Sequence, residues 1–428
     1  MQDQITPISV RGRYLWRNED RFIIKGAVYQ NNYIRAITAL EREKNREHPR
    51  FTPSDPIADD QLEVLSCSIP LLQELGINTL LVYTIDNTKS HDVAMDMLAK
   101  AGIYVIAGLS TKHQCVNRAA PFDSYTPDLV QHYFATLDRM AVYPNTLGVV
   151  VANEVLNSPG ATAGAPVVRA LVRDVKRYMA LHAAAANSEG AGAGAHQQQY
   201  RVLPVGVSSS GIRNVFLDEF RYLTGGAPEE AVDFFSVADG GMCGWQWNEW
   251  SWVGRSSMQV SGWNRLLEWF ENTHVPVFFS EYGTTTGEST PRKFHETTAI
   301  YSPEMTRVFS GACVYELYEG PNHYGLVVVR ADGTLEKQRD FGYLQERLRD
   351  AADNELATQP EWASSDSELV AASRPELPAQ STNWRASADL PVCPLDWDDV
   401  QAQIEDKQWI DVADEVERSL RIDDGESL

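Results

Sequence analysis

The sequence predicts an α/β protein, folded as an eightfold β/α (TIM) barrel with an acidic C-terminal extension. Three features carry that expectation. Eight short apolar runs alternate with stretches of helical periodicity. The 428 residues exceed one small domain, yet such barrels run past roughly 250 residues as a single unit, so one large domain plus an extension fits better than three small ones. Finally, residues 351 to 428 hold 19 Asp and Glu against 5 Lys and Arg, which is -14 of the chain's net charge of -22.

The first strand candidate is FIIKGAVY (22 to 29), and INTLLVYTI (77 to 85) is the second. HDVAMDMLAKAG (91 to 102) follows, with Val93, Met97 and Leu98 at helical spacing. Then come IYVIAGL (103 to 109), LGVVVANE (147 to 154), YRVLPVGVS (200 to 208), FFSVAD (234 to 239), VPVFFSEYG (275 to 283) and GACVYELY (311 to 318). Eight candidates suit a closed barrel, with an open doubly wound sheet as the alternative. A barrel gathers residues at strand C-terminal ends onto one face, where such enzymes place their sites.

Two segments interrupt the pattern. NSEGAGAGAHQQQ (187 to 199) is low-complexity and reads as a flexible surface insertion. Residues 351 to 390, rich in Ser, Ala, Pro and acidic side chains, read as a linker or loosely wrapped tail. Beyond them Trp409, Val412, Val416 and Leu420 form one stripe of a short amphipathic helix near 404 to 420, which either docks on the barrel or engages a protein partner. The expected division is a barrel domain over 1 to 350 and an acidic tail over 351 to 428.

A net charge of -22 argues against nucleic-acid and anionic-membrane surfaces, which require basic patches. The 11 Trp serve core packing or stacking against sugar rings. MQDQITPISVRGRYLW has no apolar run of leader length, no stretch approaches a membrane span, and no apolar tail of the lipid-anchor kind is visible. The five cysteines are odd in number and far apart, so neither a disulfide framework nor a thiolate metal site is indicated. The nine histidines are scattered, and no metal or cofactor is expected. On these grounds a cytoplasmic location is favoured.

The chemistry is carried by two strand ends. VPVFFSEYG runs apolar through Val275, Val277, Phe278 and Phe279 and then delivers Glu281; LGVVVANE delivers Asn153 and Glu154. A carboxylate is among the side chains least often buried, so one at a strand mouth needs a partner, a solvated cleft or a reaction. Ion pairing at a barrel rim is the structural explanation. Two such endings 127 residues apart also match retaining glycosidases, in which one carboxyl protonates the leaving oxygen and the other attacks the anomeric carbon. An Asn before the acid suits a hydrogen bond to the sugar 2-hydroxyl.

From about residue 20 to 345 the motifs GAVYQ (26 to 30), GINTLLVYTIDNT (76 to 88), AGIYVIAGLS (101 to 110), NTLGVVVANEVLN (145 to 157), VPVFFSEYG and SGACVYELYEGPNHYGLV (310 to 327) resemble, in wording and order, the fungal β-1,3-glucanosyltransferases of glycoside hydrolase family 72. The resemblance implies an enzyme that cleaves a β-1,3-glucan, holds it as an ester and passes it to another glucan. It implies Glu154 as general acid/base, Glu281 as nucleophile, and substrate contacts from Gln30, Tyr83, Asn153, Tyr282, Tyr315 and Trp250, with Glu249 also matching a motif position. Such enzymes are typically at the cell surface.

The sequence departs from that family at particular positions. Leu81 stands where an Arg is usual, Gly108 where an Asp is usual, and Asn248 where a Tyr precedes EW. Ser251 and Thr284 replace cysteines, and DGGMCGWQW (239 to 247) lengthens a loop. Loss of a cation beside the carboxyl pair favours their protonated forms. A barrel repurposed for another intracellular glycoside or small molecule, and a non-catalytic carbohydrate-binding or regulatory protein, are therefore alternative readings.

Overall fold

The computed structural model describes residues 5–30, 55–188, 200–238, 257–284, 291–320, 322–330, 334–352 and 374–405. The chain opens with three short strands, β1 (Ile8–Arg11), β2 (Tyr14–Arg17) and β3 (Asp20–Phe22), paired antiparallel with Ile8 opposite Arg17 and Leu15 opposite Phe22. No apolar run long enough to announce a strand marks them in the sequence. Eight parallel strands then close a barrel: β4 (Ile24–Val28), β5 (Thr79–Val82), β6 (Tyr104–Gly108), β7 (Thr146–Asn153), β8 (Val205–Ser209), β9 (Phe234–Ala238), β10 (Val277–Tyr282) and β11 (Phe309–Val314). Each falls within or across one of the eight apolar runs. Closure between β11 and β4 removes the free edges that an open sheet would leave.

Side chains fill the barrel in layers. At the N-terminal mouth Ile8, Leu15 and Phe22 of the small sheet plug the opening, Phe22 meeting Tyr104 edge-on at 5.1 Å, while the Tyr104 hydroxyl donates to the Thr6 carbonyl at 2.6 Å. Above them lie Leu81, Ile106, Val150, Phe234, Phe278 and Cys313. Room for the Phe234 ring comes from two glycines, since a Cβ at Gly206 would lie 2.1 Å from it and one at Gly148 2.9 Å. The outward faces pack under the helices: Phe279 stacks on Phe309 at 4.9 Å and on Trp263 at 4.8 Å.

The helix expected at 91 to 102 spans Asp92–Lys100, and the helix Ala165–Ser188 reaches the start of the low-complexity insertion, whose residues 189–199 lie outside the described ones. Residues 374–405 correct the picture of a loose tail. Trp384 is fully buried with its ring 5.3 Å from Tyr222, the Tyr222 hydroxyl donates to the Ser387 carbonyl at 2.6 Å, and the Arg385 N–H donates to Thr162 at 2.8 Å. Helix Trp397–Glu405 continues the contact, with Val400 and Ile404 buried and the Arg177 guanidinium 4.2 Å from the Trp397 ring. Apolar anchors spaced along a polar segment fix it without giving it a core of its own. The stripe from Trp409 to Leu420 lies outside the described residues.

Candidate active site

The C-terminal mouth of the barrel is polar where the N-terminal mouth is apolar, and local breaks in strand geometry make it so. Along β10, Phe278 and Ser280 face the interior and Phe279 faces the helices. Strict alternation would send Glu281 outward and Tyr282 inward. Instead the pairing of β10 with both neighbours shifts register after Phe279, Glu281 turns in, and Tyr282 turns out. β7 does the same between Val150 and Ala152. Glu154, just past its end, adopts φ 52°, the left-handed region that non-glycine residues seldom occupy, with its N–H held by the Ser208 carbonyl at 2.7 Å.

The two carboxyls feel one another and a shared set of neighbours. Burial pushes Glu281 up to about 7, repulsion from Glu154 adds to it, the Tyr83 hydroxyl opposes it by donating to Oε1, and Glu316 raises it further. Glu154 is also raised by burial, against the attraction of exposed Arg118. Tyr83 in turn senses Glu281, Tyr315 and Glu154, so the four side chains form one electrostatic group.

Of the residues expected in the site, the fold gathers Glu154, Glu281, Asn153, Tyr83 and Tyr315 at this mouth, and Gln30 lies two residues past β4 at the same end. The Asn153 side-chain oxygen is buried and has no hydrogen-bond partner among the described residues, an acceptor that a ligand hydroxyl would satisfy. Tyr282 is a correction. It is 2% exposed, faces helix His295–Ile300 and accepts from Thr297 at 3.3 Å, because the register shift that turns Glu281 inward turns its neighbour out. Trp250, Glu249, Asn248 and the loop from 239 lie outside the described residues.

The departures Leu81 and Gly108 have physical settings. Leu81 is buried in the apolar interior layer, two residues before Tyr83 on the same strand face. Gly108 faces the Tyr83 backbone, and a Cβ there would lie 2.3 Å from the Tyr83 carbonyl oxygen, so this backbone excludes any larger residue at 108. Cys67, Cys115, Cys313 and Cys393 are free thiols.

Several residues escaped the sequence reading. Glu316, 1% exposed, follows Tyr315 and is pushed up to about 7 by burial, with Asn322 and Arg292 working the other way. Asn322 donates to both the Glu316 carboxyl at 3.1 Å and the Tyr315 hydroxyl at 3.2 Å. The rule that found Glu281, a carboxylate closing an apolar run, finds Glu316 when applied to GACVYE. Arg292 left no such signal: buried at 4% exposure, it pairs with Asp340 at 2.7 Å and donates to the carbonyls of Gly283 at 2.9 Å, Tyr315 at 2.6 Å and Tyr324. It ties together the segments that follow β10 and β11. Among the described residues no group of three His, Cys, Asp or Glu is arranged to hold a metal.

Paired acids at the C-terminal mouth of a closed β/α barrel define the protein as a barrel of the glycosidase kind. The family profile described as glucanosyltransferase, glycoside hydrolase family 72, matches residues 1–352, and the chain belongs to that family. It is 34% identical over 335 residues to the 1,3-beta-glucanosyltransferase gel1 of Aspergillus fumigatus, covering 78% of this chain and 64% of that one. With the 1,3-beta-glucanosyltransferase PGA4 of Candida albicans it shares 34% over 393 residues, covering 91% and 75%. The structure is similar to that of Saccharomyces cerevisiae Gas2p in complex with laminaritriose and laminaritetraose, with a TM-score of 0.73, 29% identity and coverage of 92% of this chain and 78% of that one. The chain thus spans a little under two-thirds of the length of gel1. Membership of this fungal cell-wall family overturns the cytoplasmic preference.

Proposed function

We propose that the chain is a retaining β-1,3-glucanosyltransferase, and the observation that carries this is the inward turn of Glu281 and Glu154 into one cleft by two separate register shifts. Family membership and the laminari-oligosaccharides bound to Gas2p support β-1,3-glucan as the substrate. In the first step a Glu281 carboxylate oxygen bonds to the anomeric carbon as the glycosidic C–O bond breaks, and Glu154 gives its proton to the departing oxygen. In the second, Glu154 takes the proton from a hydroxyl of an acceptor glucan, whose oxygen displaces Glu281 from the anomeric carbon. Two inversions give net retention.

Tyr83 donates to Glu281, which steadies the charged form needed for attack and orients the other oxygen. Asn153 offers its side-chain oxygen to the 2-hydroxyl, Tyr315 lines the same mouth, and Gln30 and Trp250 are assigned to glucose contacts by their motif positions. The test is product analysis with a reduced-end-labelled β-1,3-gluco-oligosaccharide beside Glu281→Gln. Products longer and shorter than the substrate, absent in the variant, are expected. Shorter products alone would make the enzyme a hydrolase, and unchanged substrate at every pH would overturn the reading.

A further inference from the structure

Glu154 and Glu281 sit on strands separated by β8 and β9, so backbone pairing between adjacent strands does not by itself set their spacing. One residue reaches both. Ser208, at the end of β8 and 3% exposed, accepts the Glu154 N–H on its carbonyl at 2.7 Å, and its hydroxyl donates across the barrel to the Ser280 hydroxyl at 2.6 Å. Ser280 is fully buried and immediately precedes Glu281. The chain Glu154 N–H, Ser208 carbonyl, Ser208 hydroxyl, Ser280 hydroxyl therefore links the two carboxyl-bearing backbones at their register shifts. Ser209 continues the anchorage, donating to buried Glu219 at 2.6 Å and accepting from the Gly211 N–H at 3.1 Å.

We propose that Ser208 and Ser280 are positioning residues whose hydroxyl bridge sets the distance between Glu154 and Glu281, and so the geometry for ester formation. This rests on the retaining reading above. The ladder breaks at each shift and resumes beyond it, with Asn153 opposite Ser208 and Glu281 opposite Ala238, so neighbouring strands hold each end separately and the hydroxyl bridge ties the two ends to one another. Retaining chemistry tolerates little error, since a displacement of about 1 Å at a reacting group costs on the order of a hundredfold.

The experiment is a double-mutant cycle with Ser208→Ala, Ser280→Ala and both together, read in two ways on the full chain. In oligosaccharide transfer each single variant is expected to lose about tenfold in kcat with KM within about twofold, and the double variant no more than either single, because one bridge is removed once. Losses that multiply to about a hundredfold, or variants with wild-type kcat, would overturn the proposal. The second reading needs no activity: NMR titration of carboxyl-labelled glutamate, with Glu281→Gln and Glu154→Gln spectra to assign the two signals. The Glu281 midpoint is expected to move in each single variant, as repulsion from Glu154 changes with separation; the other groups acting on it, Tyr83 and Glu316, are unaltered. An unmoved midpoint would overturn the bridge even if the wild type made no product, whereas a moved midpoint in an inactive protein would retain the bridge and refute the transferase.

Discussion

The two mouths of the barrel are built from the same eight strands yet hold opposite chemistry. At the N-terminal mouth Ile8, Leu15, Phe22 and Tyr104 close an apolar plug; at the C-terminal mouth Glu154, Glu281, Glu316, Tyr83 and Tyr315 face one another in a partly buried cleft. Regular pairing and an added small sheet make the first, whereas register shifts and a left-handed residue make the second. The plug stabilises by burying apolar surface. The cleft crowds carboxyls that would be more stable apart or in water, and that cost is borne by the packing below.

The two mouths should therefore respond differently to substitution. The largest effect is expected at the cleft: Glu281→Gln should reduce transfer by about 10³-fold or more, equivalent to about 4 kcal/mol, while the thermal midpoint stays level or rises because a crowded carboxyl is gone. Calorimetry beside product analysis checks it, and a large fall in the midpoint would erase the contrast. At the plug, Phe22→Ala should cost about 3 to 5 kcal/mol of stability in denaturant unfolding. Its activity per folded molecule at 25 °C should match wild type, and a selective loss of kcat would mean that the plug also shapes the cleft.

Smaller effects sharpen the electrostatics. Tyr83→Phe removes a hydrogen bond to ionised Glu281, so kcat should fall about tenfold, or about 1.4 kcal/mol. The acidic limb of the pH profile should also move upward, because the hydroxyl lowers that carboxyl. A limb that stays in place would remove Tyr83 from the titrating group. Stability should change with pH through Glu219, a fully enclosed carboxyl pushed up to about 8 by burial, opposed by Ser209 and assisted by Glu154. Its folded value lies above the unfolded one, so its contribution is complete below the usual carboxyl range and is lost as pH rises toward 8. The thermal midpoint should therefore fall by a few degrees between pH 5 and pH 8. Glu219→Gln should flatten that slope, and an unchanged slope would assign it to Glu281, Glu316 or Asp138, all raised to about 7.

Much of this was legible before folding. Apolar runs gave eight strands because parallel strands covered on both faces must be apolar almost throughout, and a carboxylate ending such a run is costly enough to mark a site. Glu316 obeyed the same rule. Tyr282 was misread because motif position says nothing about which face a residue takes after a register shift. Glu219, Arg292 and the Ser208 to Ser280 bridge left no pattern at all, since each acts through partners distant in sequence: 10, 48 and 72 residues away. The strands β1 to β3 were missed because they are three or four residues long and gain their order from the barrel mouth they cover.

By itself, then, the sequence determined the barrel, the two acids and the family, because periodicity, composition and motif order are local properties of the chain. Only the tertiary structure decided which way Glu281 and Tyr282 face, that residues 374–405 lie against the barrel, and which groups raise the carboxyls. Those outcomes depend on the register between strands, and on burial and charge at distances that no linear pattern records.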